Sequence, residues 1–207
     1  MYLPRSTSAP TARLRHAKYA ARSLRRAGFD TESTTITAAA NVVRSKLADA
    51  QKADDHLSEM LADRDHVDSR LDDVGGEFRL AIGSRTSTAM TEKPYTDIFH
   101  QGAQWVLTAP IDENSKRYEE LLARAEEYLT ADDLALITLQ QKLPPLLIEW
   151  KTQLQNVDNA RTKLALALAA VDTAEEDYDR VVEKTAALLT AELGKSKVQR
   201  LFRAVDR

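Results

Sequence analysis

Four side chains between His56 and His66 are of the types that bind a divalent metal: His56, Glu59, Asp63 and His66. At 100° per residue they fall within an arc of about 80° on one helix face. Imidazole and carboxylate together are a donor set for a transition metal. The spacing argues against such a site. His56 and His66 lie ten residues apart, or about 15 Å along a helix axis, too far for one ion. A dinuclear centre would need Glu-x-x-His pairs on other helices, and the chain has none. The face reads as solvated polar surface, and no metal is expected.

His100 lies near Phe99, Gly102 and Trp105, where its charge could change near neutral pH. No serine–carboxylate arrangement in the local sequence supports it as an acid or base, so it reads as a loop histidine packed on an aromatic ring. Gly194-Lys195-Ser196 resembles the end of a phosphate-binding loop, but the position five residues earlier is Leu189 rather than glycine. A long helix precedes it where that motif needs a strand. It reads as a helix cap. Cysteine is absent, which removes thiolate chemistry and Cys-ligated zinc. No enzyme activity, no cofactor and no small-molecule substrate are expected.

The strongest polar signal is the basic arm. Residues 1–29 carry seven Lys and Arg and no acid. Residues 30–193 carry 17 Lys and Arg against 31 Asp and Glu, a net of −14, and residues 194–207 carry five Lys and Arg and one Asp. Both ends are basic and the body is acidic. Arg13, Arg15, Lys18, Arg22, Arg25 and Arg26 surround the arm's helix. Three readings are open. Such cations can neutralise phosphates and release counterions, with Tyr2, Tyr19 and Phe29 as weak stacking partners. An Arg-rich, acid-free N-terminus also suits a targeting segment. The third is docking on an acidic protein surface, which the acidic body favours. At the other end Val198, Leu201, Phe202 and Val205 fall at amphipathic helical spacing. Leu201 and Phe202 are either folded back on their own bundle or a hook for a neighbour.

The elements that must position these groups are helices. Ser8, Pro10 and Thr11 supply cap oxygens and a preset first turn, and Gly28 ends the arm. Thr31 to Thr35 reads as a polar link. Ile36, Val43, Ala50, Leu57 and Leu71 then share one heptad position, and Gly75-Gly76 reads as the end of a helix over 36–74. Residues 77–111 read as an irregular cap bearing Tyr95, Phe99 and Trp105. Shorter helices are expected at 115–129 and 131–143. Pro144-Pro145 reads as the break before a long helix over 146–193, in which Trp150, Val157, Leu164, Val171 and Tyr178 recur every seven residues.

The expected fold is therefore all-α, an elongated antiparallel helical bundle or coiled-coil hairpin. A 48-residue helix is about 72 Å long, beyond the roughly 43 Å width of a globule of this chain length. Three parts are expected: a basic arm at 1–29, a bundle at 30–193 and a basic amphipathic tail at 194–207. The longest uncharged apolar run, Leu164 to Val171, is far short of the roughly 20 residues a bilayer needs, and no membrane partner is expected. A cytoplasmic structural protein that self-assembles through its long helices and basic arms is the first functional expectation. A nucleic-acid-coating subunit using the same N-terminal arm is the second.

Overall fold

The computed structural model describes residues 9–202. The cap oxygen of Ser8, together with Tyr2, Arg5 and Val205, lies outside them. Among the described residues the chain is all-α: α1 (Pro10–Arg26), α2 (Asp30–Gly83), a 3-10 turn at Ala89–Thr91, α3 (Tyr95–Ile98), α4 (Gln104–Leu107), α5 (Asn114–Tyr128), α6 (Leu134–Leu193) and α7 (Lys195–Leu201). The two long helices, α2 and α6, pack antiparallel. The chain forms two compact units, Met1–Leu57 with Ala160–Arg207, and Ser58–Asn159.

In the first unit, α1 turns sharply into α2. Gly28 takes φ 87°, a left-handed conformation that only glycine adopts without strain. The Phe29 N–H then reaches back to the Leu24 carbonyl at 3.0 Å, which closes a Schellman cap. The expected polar link is instead the start of α2. Its hydroxyls satisfy the helix's own carbonyls, Thr34 to Asp30 at 2.8 Å and Thr35 to Thr31 at 2.9 Å, so residues that favour caps are carried inside a helix. Ser33 donates to the Ala21 carbonyl at 2.8 Å and ties α1 to α2. The core joins Leu24 of α1, Ile36 and Val43 of α2, Val182 and Leu189 of α6, and Val198 and Phe202 at the C-terminal end. Each such side chain contributes roughly 1.5–3 kcal/mol on burial.

In the second unit, α2 runs straight through Gly75-Gly76. Gly75 is buried, and a Cβ there would stand 2.9 Å from Leu107 Cδ2 and 3.0 Å from Tyr118 Cε1. The glycine serves close approach of neighbouring elements rather than a break. Residues 78–82, expected in the irregular cap, continue α2, with Phe78 and Ile82 buried and Leu80 outside at 59% exposure. The irregular cap accordingly begins after Gly83. Tyr95 and Phe99 pack with ring centroids 5.0 Å apart, and Phe99 meets Phe78 at 6.1 Å.

Pro144 and Pro145 lie inside α6, so the helix expected at 131–143 is the first part of a 60-residue element. An interior proline costs about 3 kcal/mol. Two circumstances offset it. Leu143, Leu146, Leu147 and Trp150 are all buried on either side, and the carbonyls that lose donors belong to Gln140 and Gln141, whose residues are exposed to water. Ion pairs Arg70–Glu149 at 2.8 Å and Lys142–Glu77 at 2.6 Å join α2 to α6. Their residue numbers run in opposite senses, which records the antiparallel register.

Candidate interaction site

α1 has two polar faces with different surroundings. Its buried stripe is wider than its alanines, because Arg13 and His16 belong to it alongside Ala17, Ala20, Ala21 and Leu24. Arg13 is 2% exposed. Its Nη1 donates to Glu175 Oε2 at 3.0 Å, and its Nη2 and Nε donate to Asp179 at 2.7 and 3.1 Å. Hydrogen bonding to Asp179 holds the guanidinium pKa above its ordinary value despite burial. Burial pushes the Glu175 carboxyl up, against the pull of Arg13. His16 Nδ1 lies 2.8 Å from the Tyr178 hydroxyl, and its ring stacks on Phe202 with centroids 6.3 Å apart. Burial also raises the Tyr178 hydroxyl.

This placement sorts the residues that the sequence singled out. Arg13 and Phe202 face the core of their own unit, and Leu201 is half-buried against it. Arg15, Lys18, Arg22, Arg25 and Arg26 are exposed. Four of these, Lys18, Arg22, Arg25 and Arg26, line a groove of about 630 Å³ between α1 and the first turns of α2. Its far wall carries Thr37, Asn41 and Arg44, and its floor is Leu14, Ala17, Ala21 and Ala40. Among the described residues five cations face this space and no carboxylate lines it. Arg44 donates to Asn41 Oδ1, which steadies the wall on the α2 side. Arg44 stands outside the cation cluster of residues 1–29, so the sequence does not single it out. The spacing of Thr37, Asn41 and Arg44 about Ala40, opposite a hairpin at Gly28, was the available signal.

The groove can hold an anionic group by charge and shape. Arginine presents planar forked donors that match carboxylate or phosphate. The small side chains of the floor let a backbone approach closely. Among the described residues no ring side chain lines the groove to stack on a base.

The other candidates fall elsewhere. His56 is half-buried and His66 exposed on α2, and among the described residues no group of three or more His, Asp or Glu is placed to hold a metal ion. His100 meets Trp105 edge-on with centroids 5.5 Å apart, and its Nε2 lies 3.8 Å from Glu120. Arg117 covers the same Trp105 ring at 5.1 Å and donates to the Trp105 carbonyl. Gly194 takes φ 80° between α6 and α7, a joint between helices. In the second unit Asn114 donates to Asp68, and the Tyr118 hydroxyl donates to Asp72 at 2.9 Å. Burial raises both carboxyls and the tyrosine. No helix among the described residues is long and apolar enough to cross a membrane.

The groove beside α1 thus gathers five cations on one surface of the first unit. No protein-family model matches the chain, and neither the curated proteins nor the solved structures yield a match.

Proposed function

We propose that the protein is a non-enzymatic structural scaffold that self-associates, the basic α1–α2 groove of one copy receiving an acidic helical surface of another. The observation that carries this reading is the groove itself, among the described residues five cations over an alanine and leucine floor with no lining carboxylate. Residues 30–193 supply the complementary charge, a net of −14. Oppositely charged surfaces steer encounter and fix register more than they add raw affinity. A contact that joins two different surfaces builds rings when it closes and filaments when it does not.

The second reading is coating of a nucleic acid, favoured by the same set of exposed cations. Among the described residues the lining holds no aromatic side chain, and the body is acidic; both weigh against it. The two separate in one preparation. A scaffold purifies free of nucleic acid and changes mass with salt in light scattering. A coat protein carries nucleic acid at low salt, with a high 260/280 ratio, and releases it steeply as salt rises.

A further inference from the structure

The groove calls for an occupant with carboxylates at helical spacing, and α6 displays a surface whose spacing mirrors that of the cations on α1. On α1 the exposed cations Arg15, Arg22 and Arg26 are separated by seven and then four residues. They fall within an arc of about 40°. On α6 the exposed carboxylates Asp172, Glu176 and Glu183 are separated by four and then seven residues, also within about 40°. Each set spans about 16 Å along its axis. Laid antiparallel, Glu183 stands opposite Arg15, Glu176 opposite Arg22, and Asp172 opposite Arg26. Among the described residues none of these six side chains is in an ion pair.

A single molecule cannot make this match. Arg13, which holds α1 on its own α6, lies about 160° around the helix from Arg15. The cation stripe therefore faces away from the carboxylates of its own chain. We infer that the Asp172–Glu183 stretch of a second copy's α6 lies antiparallel to α1, with Glu176 and Asp172 at the groove's arginines. This rests on the self-association reading above and names the surface that it needs.

The test is a charge swap on the full chain. Arg22→Glu with Arg26→Glu reverses the groove, and Asp172→Lys with Glu176→Lys reverses the stripe. Each pair alone is expected to weaken self-association about tenfold or more, measured by sedimentation velocity at low salt. An equimolar mixture of the two variants, or one chain carrying all four changes, is expected to regain it. Circular dichroism melts check the fold, and Arg22→Ala with Arg26→Ala gives a milder groove variant if the reversal disturbs α1. A stripe variant that associates like wild type while the groove variant does not overturns this register and leaves groove docking standing. Groove variants that associate like wild type, or a wild type that is monomeric at low salt, overturn the docking reading and this inference together.

Discussion

Arg13 of α1 and Glu175 of α6 are held 3.0 Å apart, Nη1 to Oε2, by side chains only 2% and 12% exposed. A guanidinium this deep must be matched by carboxylates, because an uncompensated buried charge is far more costly than the pair itself is favourable. The contact converts part of a basic arm into a structural element. The charge left on the outside of α1 is then presented on a fixed helix, beside a fixed wall, rather than on a loose tail.

Arg13→Ala leaves Glu175 and Asp179 facing each other beside a cavity. Breaking one partner of a buried pair costs about 3–5 kcal/mol, reduced here because Asp179 is 20% exposed. The melting temperature is expected to fall by several degrees. Arg13→Met fills the space without the donors and still leaves two carboxylates. Arg13→Met with Glu175→Gln and Asp179→Asn is expected to recover much of the loss. Thermal melts of the three variants check this ordering.

Asp72 carries a pH-dependent effect. Burial raises its carboxyl pKa, opposed by the Tyr118 hydrogen bond. The folded chain therefore holds that proton to higher pH than the unfolded chain does. Stability from this group is fullest below the ordinary carboxylate value of 3.8 and is lost as pH rises through the raised value. Asp72→Asn keeps an acceptor for the Tyr118 hydroxyl and removes the half-buried charge. Its stability relative to wild type is expected to be more favourable at pH 7 than near pH 4, in paired melts across that range. A difference that runs the other way contradicts the assignment.

Neighbouring glycines give opposite outcomes. Gly76→Ala meets nothing within 4 Å, so it is expected to gain about 0.5–1 kcal/mol from helix propensity. Gly75→Ala gains the same propensity but drives its Cβ to 2.9 Å from Leu107 and 3.0 Å from Tyr118. Overpacking of that kind costs about 1–3 kcal/mol, so a net loss is expected. Urea midpoints of the two single variants, compared side by side, decide it.

The same glycines show where the sequence was legible. The heptad positions of Val43, Leu71, Trp150 and Tyr178 were readable because a buried seam repeats with the helix, and all four are buried. Helix ends were not readable where a breaker residue serves packing. Gly75 reads as a stop until Tyr118 is seen against it, and Pro144-Pro145 reads as a boundary until the buried leucines around it are counted. Thr34 and Thr35 read as a link because local spacing does not show their hydroxyls turned back onto α2. At the site, the cations of α1 were visible as a cluster. Their division into a buried Arg13 and an exposed set depends on α6, more than 160 residues away in the chain, and the Arg44 wall depends on the Gly28 hairpin. Neither has a periodic signature.

Phe202 tests whether α7 is part of the first unit's fold. It is fully buried against the His16 ring. Phe202→Ala is expected to cost about 3–5 kcal/mol if the site does not collapse. The exposed cations of α1 stay where they are in that variant, so self-association is expected to be weakened only to the extent that the unit unfolds. Parallel melting and sedimentation runs separate the two effects.

Groove-mediated association is tested most directly by the solution mass of the purified, nucleic-acid-free chain as salt is raised. Charges on exposed helices are screened within roughly 10 Å at about 0.1 M salt. An oligomer at low salt that dissociates at high salt, and that is absent at low salt in the Arg22→Glu, Arg26→Glu variant, is the predicted result. A mass that stays at one chain throughout, or an oligomer indifferent to both salt and the groove substitutions, contradicts it.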